Sequence, residues 1–292
     1  MAKAKKQRVF RKNKTYKVDF FVVTNGKSQD HTLVRDFLRA AKKGFTPALE
    51  LVGEEDEKYM IRSLVPIGKS VFKGVFGRCR FGETPLQGTE EGDEVDVALK
   101  PGHGLVEKNH FLFYSDRNLL VYQRNPSGSH YGRCQRYLNL ALKTPIALEP
   151  ILTTDAYQRL IEGGDARIVD VSFRKPKDPA LYEDLWLRDA IKLTRDIGGI
   201  NARVRISVGR TTTTLSKIKN AVVMMAKGGF ATVARVKLEG EEEAIDLIAD
   251  RIIESITVKL NENGRPDSED IYAALQKAEL DRSKDLKTFF GA

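Results

Sequence analysis

From Tyr16 to Thr24, tyrosine, valine and phenylalanine dominate, and the run predicts a strand. Asn25-Gly26-Lys27 supplies a turn. From His31 to Lys43 the period changes. Leu33, Val34, Phe37, Leu38 and Ala41 fall on one face of a short amphipathic helix. Tyr59 to Val65 predicts a strand ended by Pro66, and Val71 to Phe81 mixes Phe72 and Val75 with Gly74 and Gly77. Glu90 to Asp96 reads as an acidic exposed loop. His110–Phe113 and Leu119–Tyr122 predict a hairpin, with Ser115-Asp116-Arg117-Asn118 as its turn. A polar loop, Asn125 to His130, leads into Tyr131–Leu142, which fits a helix or a strand.

Two prolines and little charge between Thr144 and Thr154 mark a change in composition, and a domain boundary is expected there. The pattern then alternates. Strands are expected over Ala166–Phe173, Ala202–Val208 and Ala231–Leu238. Helices are expected over Asp178–Asp196 and Thr213–Lys227, closed by Gly198-Gly199 and Gly228-Gly229. Glu241–Leu260 fits either a strand–helix mixture or a meander. Asp267–Phe290 predicts a closing helix capped by Asp267 or Ser268. The expected fold class is α+β. A basic flexible arm (1–14) precedes a β-rich N-terminal domain (15–150). A compact strand–helix–strand–helix–strand domain (151–292) follows, of split βαβ type, with its closing helix.

Composition allows a packed core: 41% of the 292 residues are hydrophobic and 30% charged. No apolar run is long enough for a membrane helix, and no secretory leader is expected. Cys79 and Cys134 sit among arginines and cannot build a disulfide framework or a paired-cysteine zinc site, so a cytoplasmic location is the default.

Charge changes the picture more. Formal net charge is +9, and Lys3, Lys5, Lys6, Arg8, Arg11, Lys12 and Lys14 crowd the first fourteen residues without one acid. A polyanion is the leading partner, and nucleic acid the commonest polyanion. The spaced glycines of a phosphate-cradling loop are absent. His31, His103, His110 and His130 lack metal-pair spacing, and no cofactor is implied.

Two internal clusters join the arm residues Lys5, Lys6, Arg8, Arg11 and Lys12 as candidate nucleic-acid contacts. In the first, Arg117, Arg124, Arg133 and Arg136 interleave with Tyr114, Tyr122, Tyr131 and Tyr137, a composition suited to phosphate contact and base stacking. The tyrosines fit a core equally well. The second holds Arg203, Arg205, Arg210, Lys217 and Lys219 with no acid between them. Arg203 and Arg205 fall opposite Val204 and Ile206 on their strand, and Gly209-Arg210-Thr211-Thr212-Thr213-Thr214 enters a helix rich in hydroxyls.

Segment order adds a resemblance. Tyr16-Lys17-Val18-Asp19-Phe20-Phe21, the hairpin arms His110-Phe111-Leu112-Phe113 and Leu119-Leu120-Val121-Tyr122, Leu148-Glu149-Pro150-Ile151-Leu152, and Glu243-Ala244-Ile245-Asp246-Leu247-Ile248 resemble the RexA-like phage-exclusion family. The resemblance implies a non-enzymatic intracellular sensor that binds DNA, rather than RNA, without strong sequence preference. It also implies a homodimer and a membrane effector partner. It brings no catalytic residue. Two other readings compete: a metal-dependent nuclease, and a scaffold that binds an acidic partner in a phage or defence complex.

Overall fold

The computed structural model describes residues 12–25, 32–82, 85–88, 91–162, 164–174, 188–199, 201–207, 231–240, 243–247 and 249–291. The fold is α+β, with β structure concentrated toward the N-terminus.

The first sheet has seven strands, all antiparallel. They are β1 (Asn13–Thr24), β2 (Glu57–Ile67), β3 (Val71–Arg80), β6 (Leu105–Tyr114), β7 (Leu119–Arg124), β8 (Ala147–Pro150) and β13 (Ile253–Lys259). Two short strands, β4 (Gln87–Gly88) and β5 (Glu94–Val95), form a separate ribbon in the acidic segment. β1 is covered on both edges. One edge pairs with β7, and the other pairs first with β13 and then with β8.

This position explains the unbroken apolar run at its centre, because a strand buried on both faces has no polar side to alternate with. Tyr16, Val18 and Phe20 face one core, while Phe21 and Val23 face another. The first face is closed by helices α5 (Ser268–Asp281) and α6 (Ser283–Phe290), through Ile271, Leu275 and Leu286. The second is closed by α1 (Thr32–Arg39) and α2 (Tyr131–Leu142), through Val34, Leu38, Tyr137 and Leu138. The segment 131–142 is therefore a helix, whose left-handed C-cap is Lys143.

The second sheet is four-stranded, in the order β10-β9-β11-β12: β9 (Ala166–Arg174), β10 (Asn201–Ser207), β11 (Ala231–Leu238) and β12 (Ile245–Asp246). Helices α3 (Thr154–Glu162) and α4 (Arg188–Asp196) contribute Ala156 and Ile191 to its core. β10 and β11 both pair antiparallel with β9 and so run parallel to each other with β9 between them, the strand arrangement of a split βαβ unit; the segment joining them lies outside the described residues. In the β9–β10 register Val204 lies beside Val171 and Ile206 beside Val169, so both strands bury their apolar positions on one side. The ambiguous segment after Glu241 resolves into β12 and β13. The closing helix is two helices, broken at Arg282.

The expectation of one unit over 151–292 needs correction. The chain leaves the first sheet after Pro150 and returns to it at Ile253, where β13 pairs with β1. Exit and return lie side by side. The Ile252 amide donates to the Ile151 carbonyl at 2.7 Å, and the Thr153 amide to the Asp250 carbonyl at 2.9 Å. The second sheet is thus an insertion between adjacent strand ends of the first. The arm is also shorter than expected, since β1 starts at Asn13 and the Lys12 carbonyl accepts from the Leu260 amide. The helix expected over Thr213–Lys227 and the start of that over Asp178–Asp196 lie outside the described residues.

Candidate nucleic-acid interface

The first basic cluster is engaged inside the protein. Arg117, on the β6–β7 turn, donates to Glu279 of α5 at 2.7 Å and stacks over Tyr114 at 4.8 Å. Arg124, at the end of β7, holds the buried Asp19 of β1, with Nε–Oδ2 at 3.0 Å; Arg251 approaches the same carboxylate at 3.8 Å. Arg133 and Arg136 lie one turn apart on α2 and both reach Glu54, at 2.9 and 3.1 Å. The Glu54 side chain is only 5% exposed.

The same network extends further. The Tyr59 hydroxyl lies in hydrogen-bond contact with both Glu54 and Glu57, which share its one proton, while Arg78 binds Glu57 and Glu107. Burial pushes the Glu57 carboxyl up, but hydrogen bonds from Arg78 and Tyr59 and the Arg78 charge outweigh it, holding the group at about 2. Tyr59 is pushed up by burial and by donating to these carboxylates. Tyr122, Tyr131 and Tyr137 are core residues. The side chains of Arg117, Arg124, Arg133 and Arg136 are only 13–38% exposed and are bound to carboxylates no more than 10% exposed, which leaves a phosphate little guanidinium surface to meet. The interleaved arginines and tyrosines thus serve the ion pairs and packing of the first sheet.

The second cluster differs. β10 alternates strictly: Ala202, Val204 and Ile206 turn to the core, while Asn201, Arg203, Arg205 and Ser207 are exposed. On β11, Ala234, Val236 and Leu238 are buried, and Arg235 and Lys237 point the other way. Register brings these cations together, because Arg205 and Arg235 both pair with Asp170 of β9, one from each side. With strands about 4.8 Å apart, the two arginine backbones stand roughly 10 Å from each other.

Arg203 binds Asp170 through Nε at 2.8 Å and Nη2 at 2.5 Å, and Arg235 binds Asp246 of β12 at 2.8 Å. The Arg203 hydrogen bonds hold the Asp170 carboxyl below its ordinary value against a raising effect of burial. The four cations Arg203, Arg205, Arg235 and Lys237 thus meet the two carboxylates Asp170 and Asp246 among the described residues of these strands. The guanidinium groups of Arg203 and Arg235 remain half-exposed, at 58% and 50%. An exposed arginine already held by a carboxylate keeps donors for a second acceptor, since the guanidinium carries five.

The family comparison covers both sheets. Residues 11–285 match the model of DUF6731, a family of unknown function. The chain belongs to that family. No curated protein matches it. The match runs from the residue before Lys12 into α6 and so spans the inserted second sheet.

Of the sequence candidates, the second sheet brings together Arg203 and Arg205. Lys12 is exposed at the mouth of β1, away from that face in sequence and in sheet. Lys5, Lys6, Arg8, Arg11, Arg210, Lys217 and Lys219 lie outside the described residues. Sequence reasoning missed Arg235 and Lys237. Their alternation with Val236 was visible, but only the β9 register places them beside β10. It also missed Lys17 and Lys259, which are exposed on β1 and β13. There Thr15 bonds Thr257 at 3.0 Å and Lys17 bonds Ser255 at 2.8 Å. Among the described residues, no group of three or more His, Cys, Asp or Glu side chains is placed to hold a metal ion. Among them, too, no helix is long and apolar enough to cross a membrane.

Proposed function

We propose that the protein is a non-enzymatic nucleic-acid-binding protein, with DNA as its first ligand, that contacts phosphates without strong sequence preference. The observation that carries this reading is the set of exposed Arg203, Arg205 and Arg235 with the half-buried Lys237, held in register on the second sheet. Arginine in a fixed row suits phosphate oxygens, which position a ligand without reading its bases. The residues of that face named above carry no aromatic ring to stack on a base, which agrees with backbone recognition. The basic arm adds a second contact. On the segment resemblance described above, the proposed role is that of a cytoplasmic sensor in phage exclusion, working as a homodimer with a membrane protein as effector.

A mobility-shift titration with duplex and single-stranded DNA, at two salt concentrations and with or without magnesium, tests the reading. With ~6–10 phosphate contacts, affinity falls by roughly 10³–10⁵ between 50 and 200 mM salt. Salt-insensitive binding, or none at low salt, sinks it. Magnesium-dependent cleavage that is lost on mutating one or two carboxylates would establish the nuclease reading instead. Equal competition by DNA and by polyglutamate would favour an acidic protein partner.

A further inference from the structure

We propose that the cleft between the end of α1 and the β2–β3 hairpin binds a small amphiphilic carboxylate, an apolar body carrying one anionic head. The cleft has a volume of about 500 Å³ and is lined by Leu38, Arg39 and Ala41 on one wall and Leu64, Pro66, Lys69 and Phe72 on the other. This size falls within the range of small-molecule sites, roughly 300–1,000 Å³.

Local chain geometry keeps the walls apart. The β2–β3 ladder breaks register between Arg62 and Val65, and Ser63 adopts a left-handed φ of 50°. The hairpin end is re-aimed there, as at a β-bulge. Pro66 removes one strand amide from the open edge. Both walls are also fixed. The Ser115 amide and hydroxyl both donate to the Ser70 carbonyl beside the hairpin tip, at 2.7 and 2.9 Å. Opposite, the Leu64 amide donates to the Gly44 carbonyl at 3.0 Å, and a Cβ on Gly44 would stand 3.1 Å from the Leu64 carbonyl oxygen. The space is therefore preformed.

Its chemistry has two halves. The floor is the apolar trio Leu38, Leu64 and Phe72. The rim is cationic. Arg39 and Lys69 are exposed and adjacent, with Arg39 Nη2 donating to the Lys69 carbonyl at 3.3 Å. Lys42 and Lys43 follow in the next turn, also exposed. Among the described residues none of these four cations is ion-paired, whereas the neighbouring Asp36 is taken by Arg35 at 2.9 Å. Among the described residues that line the cleft, none carries a side-chain amide or hydroxyl. Its polar side chains are the cationic donors Arg39 and Lys69, which suit an anionic head, and it lies on the first sheet, apart from the proposed nucleic-acid surface on the second. An apolar tail on the floor with a carboxylate between Arg39 and Lys69 satisfies both halves.

The test uses the whole protein and four probes: octanoate, octyl phosphate, octanol and acetate, titrated by calorimetry and by methyl shifts of Leu38 and Leu64. Octanoate is expected to bind saturably. Octanol, lacking the charge, and acetate, lacking the tail, are expected at least tenfold weaker. Octyl phosphate distinguishes the head group: tighter binding than octanoate overturns the carboxylate assignment. Arg39→Gln with Lys69→Gln, both at exposed positions, should weaken octanoate at least tenfold and leave octanol unchanged. Ala41→Leu, which fills the cleft, should weaken both ligands. Absence of saturable octanoate binding, or binding that survives both variants unchanged, overturns the proposal.

Discussion

Glu54 gathers three side-chain donors beside the first sheet. It accepts from Tyr59, Arg133 and Arg136 while almost wholly buried, so its removal takes from two arginines the carboxylate that both bind. Breaking a buried pair from one side is far costlier than forming it is stabilising. Glu54→Ala is expected to lower stability by about 3 kcal/mol, read from the urea midpoint. Glu50→Ala is its control, because Glu50 meets Lys58 at 3.6 Å with both side chains about half exposed. That change should stay within ~0.5 kcal/mol. Glu57 gives the network a pH signature. Its carboxyl is held at about 2 in the folded chain, against an ordinary value of 4.5. Above pH 4.5 folded and unfolded chains both carry the charge, and its stabilisation is whole. As pH falls from 4.5 toward 2, the unfolded chain takes up the proton first and stability drains away. Thermal melts across this window should fall steeply for the natural protein and less steeply for Glu57→Gln.

At the scale of elements, α5 depends on how it begins. Asp267 is its N-cap, in extended conformation, and its side chain accepts from the Glu269 amide at 2.8 Å. Glu269 and Asp270 then place acids in the first turn, where the helix dipole favours them. His110 of β6 meets Ser268 at 3.0 Å and Gln123 of β7 at 2.9 Å, tying the helix start to the centre of the sheet. Asp267→Ala should cost about 1 kcal/mol, and Asp267→Asn only a few tenths, both measured by thermal unfolding. Equal losses for the two would mean that the charge, not the cap geometry, is what matters. The break at Arg282 is as specific. Its guanidinium reaches Glu254 at 2.8 Å and the Ile253 carbonyl at 3.2 Å, anchoring the junction of α5 and α6 on β13.

At the scale of the molecule, the insertion makes a prediction that a two-domain chain would not. Ending the chain at Ile252 removes β13, α5 and α6, and bares Tyr16, Val18 and Phe20. Such a chain should lose its cooperative melt. Replacing 153–250 by a short glycine–serine linker should leave the first sheet folded, because Ile151 and Ile252 are already hydrogen-bonded neighbours. On the nucleic-acid reading, that shortened chain also loses most of its DNA affinity. Arg203→Ala, Arg205→Ala and Arg235→Ala together should weaken binding more than deletion of residues 1–11, since the sheet holds its charges in fixed register. The opposite ranking in a titration would make the arm the main contact.

Period, turn residues and caps were enough to read much of this protein from its sequence. The apolar run Tyr16–Thr24, the hairpin around Ser115–Asn118 and the cap at Asp267 are local. Each is set by residues within a few positions of one another, and all three stand in the structure. The same holds for Arg203 and Arg205, whose side of β10 follows from strand alternation alone. Partners distant in sequence were another matter. No pattern in the chain announces that β13 returns to β1 across the insertion, because antiparallel pairing is decided by burial and register in three dimensions. Nor could charge counting separate the two basic clusters. Arg133 and Arg136 lie 79 and 82 residues from Glu54, and only folding brings that carboxylate beneath them. Arg235 joins Arg205 for the same reason, through the one strand that both flank. Side-chain type sets what a residue can do, and tertiary packing decides how much of each carboxylate-bound arginine still faces solvent.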